Sequence, residues 1–204
     1  MTPFLKGFIL GLGTIALIGP VFFTLIKNAV QYGRNAGIWT ALGIIVSDII
    51  VFLICFYGTS SILEQIKSEP TVKFAGAAIL LAMGLKFIIK PVLFDTQTAE
   101  TSKKDYIGYF TQGFLVNGVN PFVFIVWIGF IAIGRTNYQD TDLYVFLISI
   151  LLGIFAIDLL KSILADKIKP FLNPKSLKFS YKIIGLILIG FSIRLIVYGI
   201  GDYV

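Results

Sequence analysis

Six apolar runs fill most of this chain, at about residues 4–26, 37–57, 72–89, 107–133, 143–165 and 179–200. About 20 such residues make a helix long enough to cross a ~30 Å hydrocarbon core. Hydrocarbon satisfies no backbone polar group, so a spanning segment must be a helix or part of a closed barrel. Barrel strands would read as roughly 10-residue stretches of alternating polarity; these runs are continuous, which selects helices. With 57% hydrophobic residues and a mean hydropathy of +0.91, the chain carries more apolar surface than a soluble fold could hide. The expected architecture is an all-α integral membrane protein with six transmembrane helices in a single membrane domain, 1–204.

The runs are not independent. Gly33-Arg34 recurs 101 residues later as Gly134-Arg135, Gly7 as Gly108, Pro20 as Pro121 and Phe23 as Phe124. Further along the offset becomes 110, and Gly43-Ile44-x-x-x-Asp48 returns as Gly153-Ile154-x-x-x-Asp158. Self-similarity of this kind marks a duplicated unit, with repeat 1 at about 1–95 and repeat 2 at about 106–204. Each unit holds three helices. Three is odd, so the second unit starts from the opposite face and the two are inverted. Inverted-topology repeats are a common construction of secondary transporters, whose substrate site lies near the midplane between the halves.

Charge and residue usage narrow the function further. A net charge of +6 could indicate a nucleic-acid partner, but its distribution does not. Twelve cations fall at or between the ends of runs 1–2, 3–4 and 5–6: Lys27, Arg34, Lys86, Lys90, Lys103, Lys104, Lys161, Lys167, Lys169, Lys175, Lys178 and Lys182. Five lie on the other side: Lys6, Lys67, Lys73, Arg135 and Arg194. The positive-inside rule puts the first set in the cytoplasm, anchored near anionic headgroups, and both termini outside. The first run is too long for a cleavable signal and carries the repeat's proline, so it is expected to stay. A polar loop at about 90–106 joins the halves. Cys55 is the single cysteine, which excludes an intrachain disulfide, and there is no histidine. The usual metal ligand and the usual general base near neutral pH are therefore missing, and neither cofactor nor metal is expected.

Two features point to a site. Pro20 follows Gly19, and Pro121 follows Asn120, at matched places in runs 1 and 4. Proline breaks or kinks a helix, and paired Gly/Pro interruptions are the best sequence pointer to a transporter's binding site. The bland alternative is a structural kink. Asp48 lies near the centre of run 2 and Asp158 in the inner half of run 5. An aspartate at the bilayer centre costs roughly 2.5–3.5 kcal/mol on insertion scales, so neither should face lipid. Because desolvation penalises the charged form, such a carboxylate can serve as an ammonium or cation ligand or as a proton carrier. Lys161 is one turn from Asp158 and can simply pair with it; if that pair were broken, the lysine stem is expected to snorkel to water. Asp48 has only Ser47 beside it. Asn117 and Asn120, one turn apart, can line the site or hydrogen-bond between helices. Asn28 reads as interfacial. Gly11, Gly13, Gly37, Gly43, Gly84, Gly113, Gly118, Gly153, Gly185 and Gly190 read as close-approach points between helices.

At these residues the chain resembles the lysine exporter (LysE/RhtB) family of bacterial amino-acid efflux permeases. Gly19-Pro20, Tyr32-Gly33-Arg34-x-x-Gly37, Ala41-Leu42-Gly43 and Asp48 are similar to the family's first-half signature. Ala82-Met83-Gly84-Leu85-Lys86 resembles its third-helix end. Gly113-Phe114-Leu115-Val116-Asn117 through Asn120-Pro121 resembles its fourth-helix motif, and Gly185-Leu186-x-Leu188-Ile189-Gly190 through Arg194-Leu195 its last helix. The family commonly has Asn-Pro-Lys where this chain has Asn120-Pro121-Phe122, an aromatic ring in place of a cation. The resemblance covers essentially the whole chain. It implies export of amino acids or small derivatives across the bacterial inner membrane, driven by the proton gradient. Membrane lipid is the surrounding partner, a homo-oligomer is admissible, and no enzymatic activity is implied. The site it implies comprises Gly19, Pro20, Asp48, Asn117, Asn120, Pro121 and Asp158.

Two other functions compete. A divalent metal-ion exporter on a related scaffold would want several hard oxygen or imidazole ligands converging, and two carboxylates with two asparagines are a thin set. An intramembrane aspartyl protease would need adjacent carboxylates sharing a proton, and the Gly-x-Gly-Asp signature of such enzymes is absent from both Asp48 and Asp158.

Overall fold

A computed structural model describes residues 1–17, 19–68, 70–89, 105–168 and 174–201. Among them there is no strand. The helices are α1 (Pro3–Leu12), α2 (Pro20–Tyr32), α3 (Arg34–Ser68), α4 (Pro70–Ile89), α5 (Tyr106–Gly118), α6 (Pro121–Asn137), α7 (Asp140–Ile163), the short α8 (Ala165–Ile168) and α9 (Pro174–Gly201). A 3₁₀ turn at Gly13–Ala16 extends α1. The connection expected at about 90–106 lies almost wholly outside the described residues, as do Lys90, Lys103, Lys104 and Lys169.

Local chemistry sets the helix ends. Thr2 caps α1 through the Leu5 amide, and Pro3 fills the first turn, where its missing N–H costs nothing. Asp105 caps α5 by accepting from the Gly108 amide at 2.8 Å. Gly33, at φ 97°, adopts a conformation open mainly to glycine and turns α2 directly into α3.

Among the described residues, three helical segments are long and apolar enough to cross a membrane singly: Arg34–Gly58, Asp140–Ile163 and Tyr181–Ile200. Two more crossings arise only if bent pairs count as one each. The pair Pro3–Ile15 and Pro20–Tyr32 bends by 74°, and the pair Tyr106–Gly118 and Pro121–Asn137 by 67°. The run expected to span at 72–89 lies within α4, whose 20 residues match the length a crossing requires and whose apolar stretch among the described residues is Gly76–Ile89. Against the six crossings expected, the described residues thus offer three straight candidate spans, or five if each bent pair is one, with α4 beside them.

Packing pairs the elements crosswise: α1 lies on α7, α5 on α3, and α4 on α9. Lipid is as apolar as leucine, so association in a membrane depends on close van der Waals approach at small residues. Gly11 meets Gly153 where α1 crosses α7. Gly43 abuts the Phe110 carbonyl, and Gly113 the Thr40 carbonyl, where α3 crosses α5. Gly84 and Gly185, themselves 101 residues apart, each face the other's carbonyl where α4 crosses α9. Gly13 and Gly190, expected among the packing glycines, face open space instead. The largest apolar cluster joins Phe52 and Phe56 of α3 to Trp127 and Ile131 of α6 and Phe146 and Ile150 of α7. A second joins Phe23 of α2 to Phe87 of α4 and to Tyr181, Ile184 and Leu188 of α9.

Candidate functional site

The two helix breaks and the two aspartates border one cavity of about 330 Å³, at the lower end of the range that small-molecule sites occupy. Helix α2 and the break before it contribute Gly19, Pro20, Val21 and Phe22; α3 contributes Ile44 and Asp48. Asn117 of α5 and Asn120 in the second break face it, with Phe122, Val123, Val126 and Trp127 of α6. Helix α7 adds Ile154, Asp158 and Lys161, and α9 adds Phe179, Ile183, Ile184 and Ile187. Six of the seven residues singled out in the sequence therefore lie on one wall or another. Pro121 does not. Its ring borders a separate shallow apolar depression with Met83, Phe124 and Ile125, so only one of the paired prolines faces the cavity. Asn120, extended ahead of the helix, takes the cavity-facing position at this break.

The breaks differ in how they start the next helix. Asn120 accepts a hydrogen bond from the Phe122 amide through Oδ1 at 3.1 Å, closing the N-terminus of α6. Gly19 heads α2 with no side-chain cap. The first-turn amides of a helix have no acceptor within it and carry its positive dipole end. At α2 those belong to Val21 and Phe22, both on the cavity wall.

Asp48 is buried, and its Oδ1 accepts the Trp127 indole N–H at 2.9 Å. Asn117 lies beside it as a second hydrogen-bonding neighbour and also donates to the Ile44 carbonyl at 3.4 Å. Asp158, also buried, accepts from Lys161 Nζ at 3.0 Å. Ser162 donates to the Asp158 backbone carbonyl at 2.9 Å. The local pairing expected of Asp158 is present, but the lysine is not a headgroup anchor. Lys161 is only 5% exposed, and its ammonium sits 5.7 Å from the centre of the Phe22 ring. Asn28 likewise departs from its interfacial reading: helix α2 runs on to Tyr32, which carries Asn28 into the protein. There its amide donates to Thr40 Oγ1 at 2.9 Å and to Gln112 Oε1 at 3.1 Å, tying α2 to α3 and α5.

Trp127 is a site residue that the sequence does not single out. Its signal was available, since a tryptophan inside an apolar run needs a partner for its N–H, but that partner lies 79 residues away. Among the described residues no three His, Cys, Asp or Glu side chains come together as a metal site would require.

A bundle of apolar helices, two of them broken beside a cavity that holds buried carboxylates, has the construction of a membrane transport protein. The chain belongs to the LysE type translocator family, whose model matches residues 12–199. It is similar to the "Putative amino acid efflux protein YcgF" of Bacillus subtilis (strain 168), at 28% identity over 94% of each chain. It is also similar to the "Uncharacterized membrane protein YrhP" of the same organism, at 28% identity over 83% of this chain and 87% of that one. No solved structure matches the chain.

Proposed function

We propose that the protein exports amino acids or small amino-acid derivatives from the cytoplasm, exchanging them for protons by alternating access around this cavity. The observation that carries the reading is the meeting of Asp48, Asp158 and the break residues Gly19 and Asn120, drawn from both halves of the chain, on one cavity. The efflux named for the Bacillus relative agrees with it. Asp48 takes the substrate's ammonium group when ionised and releases it when protonated, so one proton enters for each substrate that leaves. The substrate's carboxylate has two donors on the wall, Lys161 and the open first turn of α2. Crosswise packing of α1 on α7 and α5 on α3, with α4 against α9, supports an inverted three-helix repeat as the frame that rocks.

Asp48→Asn tests the reading. The amide keeps an oxygen for the Trp127 N–H but cannot ionise. Purified protein should keep its elution profile, while gradient-driven amino-acid efflux from proteoliposomes falls to background. Counterflow, which needs no proton coupling, should persist if Asp48 only carries protons and vanish if it binds the substrate. Wild-type efflux in the variant would end the proposal.

The orientation we propose, in the bacterial inner membrane, leaves both termini outside, from the twelve-to-five division of cations. Single cysteines at Gly201 and Lys103 in a Cys55→Ser background test it. An impermeant maleimide added to intact cells should label the first and not the second; the reverse pattern would invert the orientation.

A further inference from the structure

The helices fall into two groups by how they are held. In the larger group, directional polar bonds reinforce the glycine crossings. Asn28 of α2 donates to Thr40 of α3 and to Gln112 of α5. Trp127 of α6 donates to Asp48 of α3, and Arg135 of α6 to the Phe56 carbonyl of α3, each at 2.9 Å. Helix α1 lies on α7, which packs in turn on α3 and α6. Helices α4 and α9 instead pack on each other along most of their lengths and touch the rest at few points. Their antiparallel contact starts with Phe74 against Gly199 and Gly76 against Leu195. It continues where the Ser192 hydroxyl donates to the Ala77 carbonyl at 2.7 Å, and ends with Gly84 against Gly185 and Phe87 against Tyr181.

The joint between this pair and the other helices is of another kind. It is the cluster in which Phe87, Tyr181 and Ile184 meet Phe22, Phe23 and Phe122. Among the described residues the buried Tyr181 hydroxyl has no hydrogen-bond partner, so no bond through it fixes the joint. Apolar contact is non-directional. In a membrane the hydrophobic effect does not hold such a joint shut, because lipid tails are as apolar as the side chains they would replace. Parting α3 from α6, by contrast, would strand Asp48 and the Trp127 N–H in a medium that satisfies neither.

The joint also borders the cavity. Helix α9 lines it with Phe179, Ile183, Ile184 and Ile187, whereas Asp48, Asn117, Asn120, Asp158 and Lys161 all lie outside the pair. Withdrawal of α9 therefore opens the cavity while leaving the Asp48–Trp127 and Asp158–Lys161 bonds intact. We propose, resting on the efflux reading, that α4 and α9 move as one unit against a body formed by the remaining helices, and that this movement uncovers the cavity. Helix α4 comes from the first half of the chain and α9 from the second, so the moving boundary cuts across the halves rather than between them.

Reversible cross-links test this in a Cys55→Ser background. The reagent is a bis-methanethiosulfonate, and the readout is counterflow in proteoliposomes with the common amino acids, radiolabelled, as probes. Gly76→Cys with Leu195→Cys links α4 to α9; a Cβ at Gly76 would lie 3.7 Å from Leu195 Cδ1, which leaves room for the thiols. That link joins the two halves of the chain, yet exchange should continue at the rate of the unlinked variant. Loss to background would mean that the halves rock against each other, and would overturn the proposal. Phe23→Cys with Tyr181→Cys links the pair to the body through the cluster, away from the cavity wall. Exchange should fall to background on cross-linking and return on reduction; exchange that persists in the linked protein would overturn the proposal. If this double variant does not yield monodisperse protein, pulsed EPR takes its place, with spin labels at the exposed residues Ile79 of α4, Ile193 of α9 and Leu152 of α7. The Ile193–Leu152 distance should be broadly distributed or two-peaked and the Ile79–Ile193 distance narrow, and equal widths would overturn the proposal. Failure of the unlinked protein to exchange any amino acid would remove the efflux reading, and this inference with it.

Discussion

Asp48 and Asp158 close the same motif, Gly-Ile-x-x-x-Asp, in two helices that each cross a partner at that motif's glycine. Both are buried, and both border the same cavity. What holds them differs in kind. Asp48 receives a neutral N–H from Trp127, on the broken helix of the other half. Asp158 receives a cation from its own helix, one turn on. Two occurrences of one sequence motif have therefore been given unlike chemistry. One carboxylate has its charge compensated inside the protein; the other has a neutral partner that fixes its direction but leaves its charge to be answered by a ligand or a proton. Equivalent positions need not share a role, and the partner decides which role each takes.

The comparison predicts opposite responses to neutralisation. Asp158→Asn leaves Lys161 buried with no counter-ion, and removing one partner of a buried pair costs about 3–5 kcal/mol. For a chain of this size that lowers the apparent melting temperature by on the order of 10 °C. Asp158→Asn combined with Lys161→Met should recover most of the loss, because no charge is then stranded. Asp48→Asn should leave melting nearly unchanged. Fluorescence-detected melting of the detergent-solubilised variants measures all three. Equal destabilisation by the two single asparagine substitutions would break the distinction drawn between the aspartates.

How far the sequence could carry the distinction depends on how local each partner is. The Asp158–Lys161 pair is three residues long and was legible. The Asp48–Trp127 bond joins residues 79 apart and was not. Hydrophobic run length located the helices, and proline located the breaks, because both are properties of short segments. Burial was harder. Lys161 and Asn28 read as membrane-surface residues from their places near run ends, yet a helix that continues one or two turns further brings such residues inside. The glycines were legible as contacts but not as pairs. That Gly84 meets Gly185, 101 residues further on, emerges only when α4 and α9 are laid together.

Trp127→Phe sharpens the comparison with a smaller effect. The indole also packs against Phe52 and Phe130, at ring separations of 5.3 and 5.7 Å, and a phenylalanine preserves much of that contact. What disappears is the N–H to Asp48. Hydrogen bonds to charged groups contribute about 1.5–3 kcal/mol. If that energy holds the carboxylate in its working direction, gradient-driven efflux falls ~10-fold or more by the same arithmetic, while melting shifts far less than in Asp158→Asn. Unchanged efflux would reduce Trp127 to a packing residue and remove the contrast in partners.

The smallest effects belong to the two breaks, which repeat the same asymmetry in the backbone. Asn120 closes the first turn of α6 with its own side chain, whereas Gly19 leaves that of α2 open toward the cavity. Asn120→Ala should cost about 1 kcal/mol, the usual value of an N-cap, and lower melting by roughly 2–4 °C. The reciprocal change, Gly19→Asn, is compatible with the backbone, since φ −155° is ordinary extended chain. Its Cβ would approach Ile184 Cδ1 at 3.0 Å, which the end of that flexible side chain can relieve. The new amide oxygen would then occupy the first-turn N–H groups proposed to receive the substrate's carboxylate. A dipole interaction of about 0.3–1 kcal/mol is at stake, so the half-saturation concentration in counterflow should rise about two- to fivefold with melting unchanged or slightly raised. If both substitutions alter melting alone and leave half-saturation at the wild-type value, the open end of α2 is a structural kink and the carboxylate rests on Lys161.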